Sequence, residues 1–208
     1  MGLKKCMLLP VRTSFNGANL SEDPVTLRSQ NGKKKRVLVV GRIAPNKKIE
    51  DALRIASFLK NVQLIMIGST QGARPYYYAL REMAQKLRIH CEFVGHVSQE
   101  ELHAYFLSAD ALLITSEHEG FCVPVLEAFR YRVPVVARAA GAIPETAGGG
   151  ALLFDDSEGP ESVAAALQLV LTDPQLRSAL TAQGSEVLQE HLAISYREKI
   201  RHILSHVS

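Results

Sequence analysis

Cysteine is scarce in this chain: three residues, at positions 6, 91 and 122, with no C-x-x-C pair and no His/Cys cluster at zinc spacing. That argues against a disulfide scaffold and a zinc site, and it suits a reducing compartment. No apolar run reaches the length of a membrane span, and the start Leu3–Pro10 is too short for a signal-peptide core. The expected location is the cytoplasm, with peripheral contact at the inner membrane face still compatible. Charge of one sign is also lacking. A net charge of +3 is too small to argue for a nucleic-acid partner. The one basic run, Lys33 to Arg36, directly precedes an apolar strand and reads as a solvated, aggregation-blocking flank rather than a polyanion patch. Internal repeats and low-complexity tracts are absent. So are G-x-G-x-x-G and a Gly-Lys-Ser/Thr ending, which weighs against nicotinamide dehydrogenases and P-loop NTPases.

What is present is an ordinary globular composition, 47% hydrophobic and 22% charged over 208 residues, enough to bury a core without staples. Residues 1–35 carry turn formers at Asn16-Gly17, Asp23-Pro24 and Asn31-Gly32 and read as an irregular lead-in. Residues 36–208 are expected to form one domain. Short β-branched runs at 37–40, 62–67, 91–94, 111–115, 133–137 and 151–154 alternate with amphipathic stretches. One stripe is Ile49, Ala52, Leu53, Ala56 and Leu59; another is Leu102, Tyr105, Phe106 and Ala109. Ser98 and Glu101 have the spacing of a capping box, and Asp173-Pro174 opens the C-terminal helices. Strands alternating with helices predict an α/β fold: a doubly wound parallel sheet, Rossmann-like, covered on both faces. In such sheets ligands bind beyond the carboxyl ends of the strands.

The segments following the strands are therefore the candidates. Gly41-Arg42-Ile43-Ala44-Pro45-Asn46-Lys47 follows the first strand. Two cations at a helix entrance oppose the helix dipole unless an anion joins them, so Arg42 and Lys47 suit phosphate; otherwise they are solvated surface cations. After the fourth strand, Glu119-Gly120-Phe121-Cys122-Val123-Pro124 leads into a helix carrying Glu127. Pro124 fits the first helical position, leaving Gly120 to Val123 in the loop with free N–H groups and Glu127 on the first turn. The two carboxylates can accept hydroxyls of a sugar and a ribose, or serve only as a loop carboxylate and a helix-dipole partner. Gly141 to Glu145 forms a third such loop. His96-Val97 follows the third strand; His96 and His118 are acid/base candidates or hydrogen-bonded scaffold. Cys122 has no His/Asn partnership that would make it a nucleophile. No D-x-D pair suggests a divalent cation, so no metal and no cofactor are expected.

Together, EGFCVPVLE at 119–127, GRIAPNK at 41–47 and GAIPE at 141–145 resemble the C-terminal domain of family 4 glycosyltransferases, retaining enzymes of GT-B fold. FVGHVSQEELHAYFLSADALLITS is similar to the stretch joining these loops, and NGANL at 16–20 resembles the interdomain connection. The resemblance implies a donor that is a nucleotide-diphosphate sugar, of UDP or GDP type, used in polysaccharide or glycoconjugate synthesis. It implies that Arg42 and Lys47 hold the diphosphate and Glu119 the transferred sugar. Glu127 would hold the ribose, Gly41 and Gly120 to Val123 would offer backbone, and His96 and Val97 would border the base. Arg42 and Lys47, by stabilising the leaving diphosphate, and Glu119, on the transferred sugar, would be the catalytic groups. Cys122 stands where that family usually has glycine. The saccharide or lipid-linked acceptor would sit on an N-terminal domain missing here, so this chain alone is expected not to transfer sugar at an enzymatic rate. The alternative is a stand-alone sugar-nucleotide-binding module.

Overall fold

The computed structural model describes residues 34–205, with side chains as far as residue 193. The expected interdomain connection at 16–20 and nearly all of the lead-in lie outside the described residues. In chain order the elements are β1 (Lys35–Val40), α1 (Ile49–Ser57), β2 (Val62–Ile67), α2 (Arg74–Lys86), β3 (Cys91–Gly95) and α3 (Gln99–Ser108). There follow β4 (Ala111–Ile114), α4 (Val123–Arg130), β5 (Val135–Arg138), α5 (Ile143–Ala147), β6 (Ala151–Phe154), α6 (Pro160–Thr172) and α7 (Pro174–Ser205). The C-terminal helices expected after Asp173 are one helix, α7, capped by the Asp173 carboxylate, which accepts from the N–H groups of Gln175 and Leu176 at 2.8 and 3.1 Å.

The six strands form one parallel sheet in the order β3-β2-β1-β4-β5-β6. The order reverses between β1 and β4, the topological switch point at which a doubly wound sheet opens a crevice. Alternate strand residues feed opposite faces. Val37, Leu64, Met66, Ala111 and Leu113 join α1, α2 and α6 on one side. Leu38, Ile65, Ile67, Leu112 and Ile114 join α3, α4 and α5 on the other. The apolar stripe of α1 is fully used, with Ile49, Ala52, Leu53 and Ala56 buried and Leu59 partly so. A buried Leu or Ile of this kind is worth about 1.5–3 kcal/mol.

The basic run is not simply a solvated flank. Lys35 and Arg36 lie inside β1, and Asp110, which is 1% exposed just before β4, receives both. The Lys35 ammonium sits 3.1 Å from its Oδ1, and the Arg36 backbone N–H donates to its Oδ2 at 2.9 Å. The Asp110 N–H in turn donates to the Arg36 carbonyl, and Arg177 of α7 donates to the Asp110 carbonyl. A buried carboxylate needs such partners, and here they staple the two central strands at the end opposite the crevice.

Candidate functional site

At the carboxyl ends of β1 and β4 the two following loops are tied directly to each other. The Thr115 hydroxyl donates to the Lys47 carbonyl at 2.9 Å, and the Glu117 N–H donates to the Asn46 carbonyl at 3.0 Å. The Lys47 ammonium lies 2.6 Å from Oε1 of Glu119, with the pair mostly shielded from solvent. The Ser116 hydroxyl donates to the same carboxylate oxygen at 2.7 Å. Two of the site residues named from the sequence, Lys47 and Glu119, are therefore already partners. Arg42, by contrast, is exposed, and it has no hydrogen bond or ion pair among the described residues.

The third loop completes this wall by close backbone approach. The Ala142 N–H donates to the Glu119 carbonyl at 2.9 Å. Gly141 has φ +57°, and a Cβ there would stand 2.5 Å from the Glu119 carbonyl oxygen, so both the turn and the contact require glycine. Gly68, at the end of β2, is equally constrained: a Cβ would fall 1.8 Å from the Gly41 carbonyl oxygen.

Helix α4 starts at Val123, one residue earlier than Pro124 suggests, with Cys122 at the cap position. The loop N–H groups therefore belong to Gly120, Phe121 and Cys122, while Val123 is the first helical residue and Glu127 sits on the second turn. No described group accepts from the N–H of Gly120, Phe121, Cys122 or Val123. Unpaired N–H groups at a helix start carry a partial positive charge and suit an anion. Cys122 is in the left-handed region, φ 54° and ψ 60°, a conformation glycine adopts without cost. Its thiol is buried, and burial with the nearby Glu119 charge pushes it up to about 12, against the opposing pull of Lys47. A thiol held protonated is no nucleophile. Phe121 is half exposed and meets the His191 ring of α7 edge-on, 5.7 Å between centroids.

On the other side of β1 an open cleft of about 560 Å³ is lined by Gly41, Arg42, Gly68, His96, Val97 and Gln99, among others. His96 and Val97 thus share one cavity with Arg42 and Gly41. Glu127 is not among the residues lining this cavity and is linked to it through Gln99. Burial raises its carboxyl above the ordinary range, while a hydrogen bond from Gln99 and the nearby His103 oppose the shift. Gln99 also pairs with the His103 ring at 2.8 Å. Ser116, Thr115, Gly68 and Gln99 were not singled out from the sequence. A hydroxyl pair or a glycine immediately after a strand was the available signal for the first three. His118 is exposed, and Glu145 sits in the first turn of α5.

With the geometry in place, comparison with known proteins gives the family. Residues 27–187 match the model of "Glycosyl transferases group 1". The chain is 30% identical over 148 residues to a sulfoquinovosyl transferase of Arabidopsis thaliana, covering 70% of this chain and 26% of that protein. It is 28% identical to a D-inositol 3-phosphate glycosyltransferase of Kineococcus radiotolerans, covering 74% of this chain and 40% of that one. The chain thus spans between about a quarter and two fifths of the length of these curated relatives. Among solved structures, Anabaena HepE in complex with UDP-glucose superposes with a TM-score of 0.78 at 21% identity, over 90% of this chain and 54% of that one. The C-terminal domain of the group 1 protein LpcC of Francisella tularensis superposes with a TM-score of 0.70 at 20% identity, over 82% of this chain and 93% of that domain. These neighbours share the GT-B glycosyltransferase fold, and with the family match they answer the sequence reading: the chain belongs to the group 1 glycosyl transferases.

Proposed function

We propose that this chain is the donor-binding part of a retaining, metal-independent glycosyltransferase of family 4, taking a nucleotide-diphosphate sugar. The observation that carries the reading is the junction at the switch point. There Lys47 lines the crevice between β1 and β4, Arg42 lines the open cleft on the other side of β1, Gly41 borders both, and the N–H groups of Gly120 to Val123 beyond Glu119 have no described acceptor. In this reading the diphosphate lies across that positive rim, and the base and ribose extend into the cleft beside His96, Val97 and Glu127. The transferred sugar faces Glu119.

The chemistry asked of this part is stabilisation of charge on the departing diphosphate. Preorganised cations and N–H dipoles do that without reorganising as the bond breaks. Arg42 and Lys47 take the part that a divalent ion plays elsewhere, so no metal is required. Cys122 places a side chain near Glu119 where the family usually has glycine, with its thiol packed into the core. The acceptor hydroxyl is held by a separate domain, whose closure also excludes water. UDP-glucose bound by the Anabaena neighbour supports a nucleoside diphosphate sugar as ligand. Calorimetric titration with UDP-, GDP- and ADP-sugars, each with and without EDTA, tests the proposal. Binding of one of them with EDTA present is expected; no binding of any, or binding abolished by EDTA, would reject it.

A further inference from the structure

Arg138, the last residue of β5, touches none of the loops' ligand-facing groups, yet it is 13% exposed and fully engaged. Its Nε donates to the Thr115 carbonyl at 3.0 Å, and Nη2 lies 2.7 Å from Asp51 on the first turn of α1. Its Nη1 pairs with Asp156 beyond β6, and the guanidinium sits over the Phe154 ring, 5.4 Å from its centre. One planar group thereby joins the exits of β4, β5 and β6 to the start of α1. Thr115 is the residue whose hydroxyl holds the Lys47 carbonyl. Asp51 lies in the helix whose entrance follows Lys47 and Lys48, and its own N–H donates to the Lys48 carbonyl.

We propose that Arg138 is a positioning residue for the diphosphate site. It holds the β4 exit and the α1 entrance at one separation, and so sets where Lys47 and Glu119 meet. This rests on the functional reading above only for the identity of the ligand. The fork geometry explains the residue type: three donors diverge in one plane to a carbonyl and two carboxylates, which a lysine ammonium cannot span. Without the guanidinium, the carbonyl of the buried Thr115 loses its side-chain donor, and the loop pair can shift to recover one.

The test compares Arg138→Met and Arg138→Lys with the native chain in two measurements. The first is amide hydrogen exchange. In Arg138→Met the Glu117 N–H, which bonds across to Asn46, is expected to exchange about tenfold faster. The Leu64 N–H, bonded to His90 in the remote half of the sheet, is expected to stay unchanged. The second is the affinity for whichever of UDP, GDP and ADP the native chain binds best, set against the matching nucleoside. The diphosphate should weaken about tenfold, the nucleoside not at all, and Arg138→Lys should fall between. Exchange rising equally at Glu117 and Leu64 would mean a general structural role and overturn the proposal. So would unchanged exchange at Glu117, or diphosphate and nucleoside weakening together. If the native chain binds none of the three diphosphates, the functional reading fails while the exchange measurement still decides the role of Arg138.

Discussion

Lys47 and Glu119 stand 72 residues apart in the chain and 2.6 Å apart in space, so a cation and an acid expected to grip different parts of one ligand grip each other first. Replacing Lys47 or Arg42 by Ala should weaken nucleoside diphosphate binding by about 1.5–3 kcal/mol, the scale of a hydrogen bond to a charged group. A double-mutant cycle of Lys47→Ala and Glu119→Gln, read by nucleotide-sugar titration, should show coupling of about 0.5–3 kcal/mol. Additive losses would mean the pair does not act as a unit. Undiminished affinity after losing both cations would reject the site.

The two carboxylates should separate by ligand. Glu127→Gln is expected to weaken the nucleotide and the nucleotide sugar alike, because ribose is common to both. Glu119→Gln should weaken only the sugar-bearing ligand. Titrating each variant with both ligands decides; equal losses on the two ligands in both variants would contradict the assignment.

Glu127 also carries a pH signature. Burial raises its carboxyl in the folded chain, so the fold favours its protonated form. Its unfavourable contribution is absent below the ordinary carboxylate range and complete once pH has passed the raised folded value. Glu127→Gln should therefore raise Tm at neutral pH, with the gain shrinking as pH falls through that range. Thermal melts of both proteins across pH 3–8 would show it. A gain that does not depend on pH would point to packing instead.

Cys122 occupies a backbone conformation that costs an L-residue about 1–2 kcal/mol. Cys122→Gly removes that strain and also the packing of a buried thiol, so its stability in urea should lie within about 1 kcal/mol of the native chain. Cys122→Val should lose more than about 2 kcal/mol, because a β-branched side chain fits the left-handed region worst. With the thiol pushed up to about 12, native-state alkylation at Cys122 near neutral pH should be slow and rise only on unfolding. Site-resolved mass spectrometry after iodoacetamide treatment measures this.

Asp110→Ala removes the acceptor of the Arg36 N–H and the partner of Lys35. It should cost about 2–4 kcal/mol in chemical denaturation, the range for breaking a shielded charged contact. Ligand affinity of the folded fraction should be unchanged, since this staple lies at the far end of the strands.

Much of the fold was legible because side-chain period alone distinguishes strand from helix. Val62–Ile67 and Ala151–Phe154 have the bounds that short apolar runs between turn formers and helical stripes give them. The fifth strand starts at Val135 rather than Val133: Arg132 turns the chain with φ 52°, and Pro134 has no N–H to give the ladder. The start of α4 was misplaced by one residue for a related reason: its cap is a left-handed Cys122, not the Ser, Thr, Asp or Asn that marks a helix start in sequence. Of the residues named from their position after strands, Lys47 and Glu119 meet at the switch point, while His96 and Val97 share the neighbouring cleft with Gly41 and Arg42. Their mutual bonds were not legible, because Thr115 meeting Lys47, Arg138 meeting Asp51, or Asp110 receiving Arg36 depends on which strands become neighbours. Periodicity does not encode that order.

The pairing of β1 with β4 sets a timetable for the molecule. Hairpin-like local contacts are absent from this parallel sheet, and the Arg36–Asp110 contact closes a separation of 74 residues. Such long closures are entropically expensive and slow a folding chain. β1, β2 and β3 are contiguous in sequence and can associate first, but the crevice has no second wall until β4 docks. A ligand spanning both loops would hold that seam shut. It would prolong the life of the folded state by slowing escape, and leave the rate of acquiring it nearly untouched.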